Sequence, residues 1–99
     1  MIHEQLELNG RPINAYVIPC GPFNVVFADT GTGMIGCGAF DVAALDKFSY
    51  PAVKMAGAEG ASIITVDDLL KGTVKEVNVA AQQKGIEIGQ NGQTALEKM

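Results

Sequence analysis

Metal ligands, clustered positive charge and long apolar runs are all scarce in this sequence, and each scarcity removes a class of function. There is one histidine, His3, and there are two cysteines, Cys20 and Cys37, with no C-x-x-C motif. A structural zinc site would lack ligands, and no metal is expected. No apolar run approaches the ~20 residues that span a bilayer. The opening stretch, MIHEQLELNG, carries acids where a secretory signal would have basic residues and then an apolar core. The expectation is a cytoplasmic protein whose two thiols stay reduced and pack as small apolar side chains. One arginine and six lysines stand against eleven acids for a net charge of -4, and the lysines are spread singly from Lys47 to Lys98. Phosphate backbones need a cationic stripe, so neither nucleic acid nor an anionic membrane surface is an expected partner.

Charge of either sign is also low. Charged residues make up 18% of the chain and hydrophobic ones 47%, which excludes disorder and leaves little charge for the surface. Much of the apolar share is alanine and valine, so the core is expected to be built from small, closely packed side chains. Ninety-nine residues suffice for one domain with a single core, spanning 1–99. A charge-poor surface suggests that part of it is covered by a second copy of the chain, and a homo-oligomer is expected.

Residues 2–8, IHEQLEL, alternate apolar and polar with one exception at Glu4, and Asn9-Gly10 supplies a hairpin turn. A second strand from Pro12 to Pro19 buries Ile13, Ala15 and Val17, and Gly21-Pro22 breaks it. A third, FNVVFAD at 23–29, places Phe23, Val25 and Phe27 on one face. After the polar turn at 29–33, a fourth strand runs from Met34 to Phe40, completing an antiparallel meander. Asp41 is placed to cap a short helix through Phe48, with Val42, Leu45 and Phe48 on one stripe. Residues 49–64 hold strand-like pieces at either end, PAVKM and ASIIT. Thr65-Val-Asp-Asp68 reads as a capping box for a helix that Gly72 stops. Thr73-Val-Lys-Glu76 reads as another, for a helix over Val77, Ala80 and Ala81 that ends at Gly85. Ile86-Glu87-Ile88 is a short strand at most, and a helix closes the chain over 92–99. The fold class is α+β: a four-stranded antiparallel meander, then short helices and one or two further strands packed on the sheet.

The stretch DTGTGMIGCGAFD, residues 29–41, concentrates the candidate chemistry. Gly31, Gly33 and Gly36 spell G-x-G-x-x-G, the spacing of a dinucleotide-binding loop. That loop should open a helix near its second glycine, whereas MIGCGAF reads as a strand and the next helix begins at an acid that would repel phosphate. A turn and a thin strand explain the glycines better, and no cofactor is expected. Cys37, shortly before a helix start, could be a reactive thiol. It has no base near it in sequence, and a small apolar filler between Gly36 and Gly38 is the plainer role. Asp29, Asp41, Asp67 and Asp68 serve as turn, cap or first-turn acids rather than metal ligands. Phe23, Phe27, Phe40 and Phe48 read as core, and His3 as a solvated strand residue.

The segments GMIGCGAFDVAALD and ASIITVDDLLKGTVKEVNVAAQQKGIEIGQNGQTAL resemble the YunC-like family of small bacterial and archaeal proteins, a domain of unknown function. The resemblance covers most of the chain from about Ile13 and is most specific at Cys37–Val42 and Thr65–Leu70. It implies an α+β fold and a cytoplasmic protein, and no activity, substrate or catalytic residue. Two functions stay open: a self-associating binding or structural module, and a small-molecule binder or enzyme using the Gly36 to Asp41 turn. For the second, Gly36, Cys37, Gly38 and Asp41 are the candidate ligand-binding residues. A pocket at that turn favours it; a bare sheet edge or face favours the first.

Overall fold

The structure, a computed structural model, describes all residues from Met1 to Met99. Its frame is one six-stranded sheet in chain order: β1 (Ile2–Leu8), β2 (Arg11–Cys20), β3 (Phe23–Asp29), β4 (Met34–Gly36), β5 (Ala52–Ala56) and β6 (Thr73–Val77). The first three strands form as their alternation demands. Asn9 and Gly10 both take positive φ, 53° and 77°, the backbone that a tight two-residue hairpin requires. The β1–β2 register then runs from Ile2 opposite Val17 to Leu8 opposite Arg11. All pairs are antiparallel except β4 with β5, which are parallel. That one parallel pair forces a crossover through residues 37–51, since a hairpin cannot join parallel neighbours. A 3₁₀ turn at Ala43–Phe48 sits within it.

The core lies on one face of the sheet. Ile13, Ala15 and Val17 from β2, Val26 and Ala28 from β3, and Val53, Met55 and Val74 from β5 and β6 are all buried there. Three short helices close that layer: α1 (Val66–Lys71), α2 (Val79–Gln83) and α3 (Gly92–Glu97), contributing Leu69, Ala81 and Leu96. The Thr65 to Asp68 capping box forms as expected, both reciprocal bonds being 3.1 Å. Backbone N–H groups of Ile64 and Thr65 donate to the Asp68 carboxylate and hold it below the usual carboxylate range. Asp67 pairs with Lys71 one turn on, at 2.9 Å.

On the opposite face, one cross-strand row runs His3, Tyr16, Phe27, Gly36, Lys54, Glu76. His3 stacks on Tyr16 at 4.6 Å between centroids, and Tyr16 on Phe27 at 4.7 Å. Phe40 meets Phe27 edge-on at 5.4 Å and covers the bare Cα of Gly36. Lys54 and Glu76 end the row as a 2.8 Å ion pair. Met34, Val42 and Ala52 form a small buried cluster on this face, beneath Leu45 and Tyr50.

Five local expectations give way to packing. The helix expected after Thr73 is strand β6, because Val74 and Val77 gain more by pairing with Met55 and Val53 than a capping box provides; the helix starts later, at Asn78. ASIIT forms no strand: its backbone is extended at Ala61 and Thr65 but pairs with nothing in the sheet. The fourth strand stops at Gly36, where the chain turns so that the Phe40 N–H reaches the Cys37 carbonyl. On β3 the residues facing the main core are Val26 and Ala28, not the phenylalanines; Phe23 is 56% exposed. Phe48 is 75% exposed, because the 3₁₀ turn does not carry the α-helical stripe Val42, Leu45, Phe48 onto one face.

Asn78 holds these parts in place. It is the buried polar side chain of the core, and all four of its hydrogen-bonding positions are used. Its amide nitrogen donates to the Val42 carbonyl at 3.1 Å and the Tyr50 carbonyl at 2.8 Å. Its oxygen accepts from the Ala52 N–H at 3.1 Å and the Ala81 N–H at 2.9 Å. Asn78→Ala leaves those backbone groups unpaired and uncaps α2, and denaturant melts should show a loss of about 2–4 kcal/mol. Gly92→Ala should also destabilise, by ~1–3 kcal/mol on the same melts. A Cβ there would lie 2.6 Å from the Leu69 carbonyl oxygen, pushing α3 off α1.

Candidate functional site

The glycines at 31, 33 and 36 serve a turn and a strand. Gly31 takes φ 89°, the Thr30 N–H donates to the Gly33 carbonyl at 2.9 Å, and the chain then enters β4 rather than a helix. Asp29 accepts from the Gly31 N–H at 2.9 Å, as a turn aspartate does, and also from the Tyr50 hydroxyl. Burial first, and then the Asp29 carboxylate, push Tyr50 ionisation well above the ordinary phenol range.

The four candidate residues at 36–41 do not form one site. Gly36 belongs to the aromatic row, facing Phe40. The Asp41 carboxylate turns back to accept from the Ala44 N–H at 3.3 Å. Cys37 and Gly38 go elsewhere. They line an open cleft of about 440 Å³ on the core side of the sheet, together with Phe23, Met55, Ser62 and Lys75. That volume lies within the ordinary range of small-molecule sites.

Three elements build the cleft. The first is the turn after β4. Cys37 is still held to β3, its N–H donating to the Val26 carbonyl at 2.9 Å while its Sγ accepts from the Val26 N–H at 3.5 Å. The second is the loop after β5, folded so tightly that a Cβ at Gly57 would lie 1.8 Å from the Ala61 carbonyl oxygen. The Asn24 side chain fixes the far end of that wall, donating to the Ile64 carbonyl at 3.0 Å. The third is a β-bulge in β6. Lys54 faces Glu76 and Met55 faces Val74, so Lys75 is the extra residue between them. A bulge re-aims the side chain it carries, and Lys75 lines the cleft without a salt bridge to any carboxylate.

The lining chemistry is one-sided. It includes a lysine and a serine but no aspartate or glutamate, in a chain with eleven acids. The backbone N–H groups of Gly38, Ala39, Ser62 and Ile63 donate to no backbone or side-chain acceptor in the chain. His3, the sole imidazole, is bound to Asn14 Oδ1 at 3.0 Å on the other face, so Cys37 has no histidine base. Cys20 and Cys37 are unbridged. No group of three or more His, Cys, Asp or Glu side chains comes together, and no helix is long and apolar enough to cross a membrane. Sequence reasoning singled out neither Lys75 nor the 57–63 wall: the first falls in the Thr73 to Glu76 capping box, and the second runs into the strand-like ASIIT.

Comparison with known proteins agrees with this frame. Residues 36–99 match the model of a family described as a domain of unknown function (DUF1805). The uncharacterised protein YunC of Bacillus subtilis (strain 168) is 33% identical over 94 residues, covering 95% of this chain and 92% of that protein. The crystal structure of TA1206, a protein of unknown function from Thermoplasma acidophilum, superposes with a TM-score of 0.85 at 24% identity. It covers 98% of this chain and 90% of that one, and the likeness is one of fold. With more than half its length matched by the family model and a relative aligned almost end to end, the chain belongs to the YunC/DUF1805 family.

Proposed function

We propose that this chain is a small cytoplasmic module that works as a self-associated pair, joined through the outer edge of β1. The observation that carries the reading is an asymmetry between the two sheet edges. The β6 edge is covered by the chain itself: the Val74 N–H donates to the Gln90 carbonyl at 2.8 Å, and the Gly89 N–H to the Val74 carbonyl at 2.9 Å. The β1 edge pairs only inward, with β2. It is seven residues long and holds no lysine, proline or bulge, its charged residues being Glu4 and Glu7. Two free thiols are in keeping with a reducing compartment.

The sequence of β1 suits a second copy of itself. An antiparallel pairing about a two-fold axis uses all seven residues when it is centred on Gln5. His3 then faces Glu7 of the other copy, Ile2 its Leu8 and Glu4 its Leu6, with the two Gln5 side chains meeting at the centre. The two sheets would continue as one, with the His3 ends of the two aromatic rows on the same face.

Light scattering or sedimentation at tens of micromolar protein should give twice the monomer mass. Gln5→Lys sets two lysines against each other at the centre of the pairing, while Gln5 itself is exposed in the single chain. That variant should run as a monomer with an unchanged circular dichroism spectrum. A monomeric parent protein, or a Gln5→Lys variant that stays dimeric, would overturn the reading.

A further inference from the structure

The cleft has a feature that the packing of the molecule does not require. Of the twelve glycines, six sit at positive φ, where a side chain is strained. Five more lie so close to another atom that an added Cβ would come within 3 Å of it. Gly38 alone is in neither group: its φ is ordinary and nothing lies within 4 Å of where a Cβ would be. Close approach of another element is therefore not what a glycine at position 38 serves. Its bare Cα borders the cleft and keeps that space open.

The rest of the lining says what the space would admit. Phe23 and Ile63 offer apolar surface for the body of a ligand, with the buried Met55 beneath. At the β6 side, the bulge places Lys75 in the lining, with no carboxylate among the lining residues to neutralise it. Ser62 adds a hydroxyl, and Gly38, Ala39, Ser62 and Ile63 add backbone N–H groups with no acceptor in the chain. Cys37 is buried on the cleft floor, its sulfur accepting from Val26 and its S–H proton without an acceptor. The one full charge among the lining residues is positive. Such a set attracts an anion and leaves a cation unpaired.

We infer that the cleft between the Cys37–Gly38 turn, the 57–63 loop and Lys75 binds a small organic anion, with its carboxylate or phosphate at Lys75 and its apolar body over Met55. The site is formed within one chain and lies away from β1, so it stands or falls apart from self-association. Cys37 contributes shape and a weak donor to it; no covalent step is part of the inference.

The test is an amide chemical-shift titration of the whole protein with benzoate, with phenyl phosphate, and with benzamide as the neutral counterpart. Benzoate, phenyl phosphate or both should move the resonances of Gly38, Ala39, Ser62 and Ile63 saturably, and benzamide should do so at least roughly tenfold more weakly. The stronger of the two anions identifies the head group. Lys75→Met keeps the aliphatic stem and removes the charge, and should weaken the anion by a similar factor. Gly38→Val should melt with the parent protein, since its side chain enters free space, yet lose the response by filling the cleft. No saturable shift with either anion, an equal response to benzamide, or anion binding undiminished in Lys75→Met would overturn the inference. So would full binding by a folded Gly38→Val protein.

Discussion

A single carboxamide decides how the second half of this chain can fold. The parallel contact between β4 and β5 sends residues 37–51 across the sheet and back, and an excursion of that length needs fixing at both ends. Asn78 does this by donating to the carbonyls of Val42, near the outward leg, and of Tyr50, at the return. The same side chain accepts from Ala52 as β5 begins and from Ala81 as α2 begins. Asp46, in the middle of the crossover, takes the two remaining early N–H groups of α2, Val79 at 3.1 Å and Ala80 at 3.2 Å. The crossover and α2 therefore cap one another. In a core made largely of alanine and valine, where each contact is small, a fully satisfied buried amide supplies specificity that apolar packing by itself does not.

The cleft follows from where this arrangement ends. Pairing between β3 and β4 stops at Gly36, and the Phe40 ring fills the space that a side chain at Gly36 would have taken. With Phe40 committed to the aromatic face, Cys37, Gly38 and Ala39 have only the opposite side and its boundary with solvent. β5 continues past them into the 57–63 loop, which stands off the sheet because Gly57 folds against Ala61 rather than against Cys37. The gap between turn and loop is the cleft. The bulge in β6 matters because regular alternation would have put the residue after Val74 opposite Lys54, next to the aromatic row. One extra residue hands that place to Glu76, which makes the ion pair, and leaves the lysine for the cleft side.

What could be read from the sequence was what is decided locally. Asn9-Gly10 sets the first hairpin through its own φ angles, and Thr65 with Asp68 sets the start of α1 through bonds spanning three residues. The three long strands announce themselves by alternation, and the meander is present as expected. The errors fall where two local signals compete. Thr73-Val-Lys-Glu76 is a sound capping box and also a period-two run, and only Met55, nineteen positions earlier in the chain, decides between them. Asn78, five residues on, is the cap that forms. Of the four residues from 36 to 41 that the sequence groups together, Cys37 and Gly38 line the cleft and Gly36 and Asp41 do not. Alternation sends Gly36 to the other face of the sheet, and a local hydrogen bond turns Asp41 away. Lys75 carried no signal at all, since a bulge is a property of two strands together.

The two faces of the sheet divide the molecule's chemistry as well as its packing. The core face ends in the open cleft, with Lys75 as the one charged residue of its lining. The other face carries stacked rings that run out to His3 on β1 and are closed at the far end by Lys54 and Glu76. Charge at the β6 end of that row is paired within the chain, whereas at the β1 end the exposed residues His3, Glu4 and Glu7 face no opposite charge of their own chain. An edge with unpaired backbone is one where a second strand can add hydrogen bonds. The cleft lies across the sheet from that edge, on strands β3 to β6. Joining two chains through β1 would therefore place two lysine-bearing clefts at the outer ends of a continuous sheet, each still open to solvent.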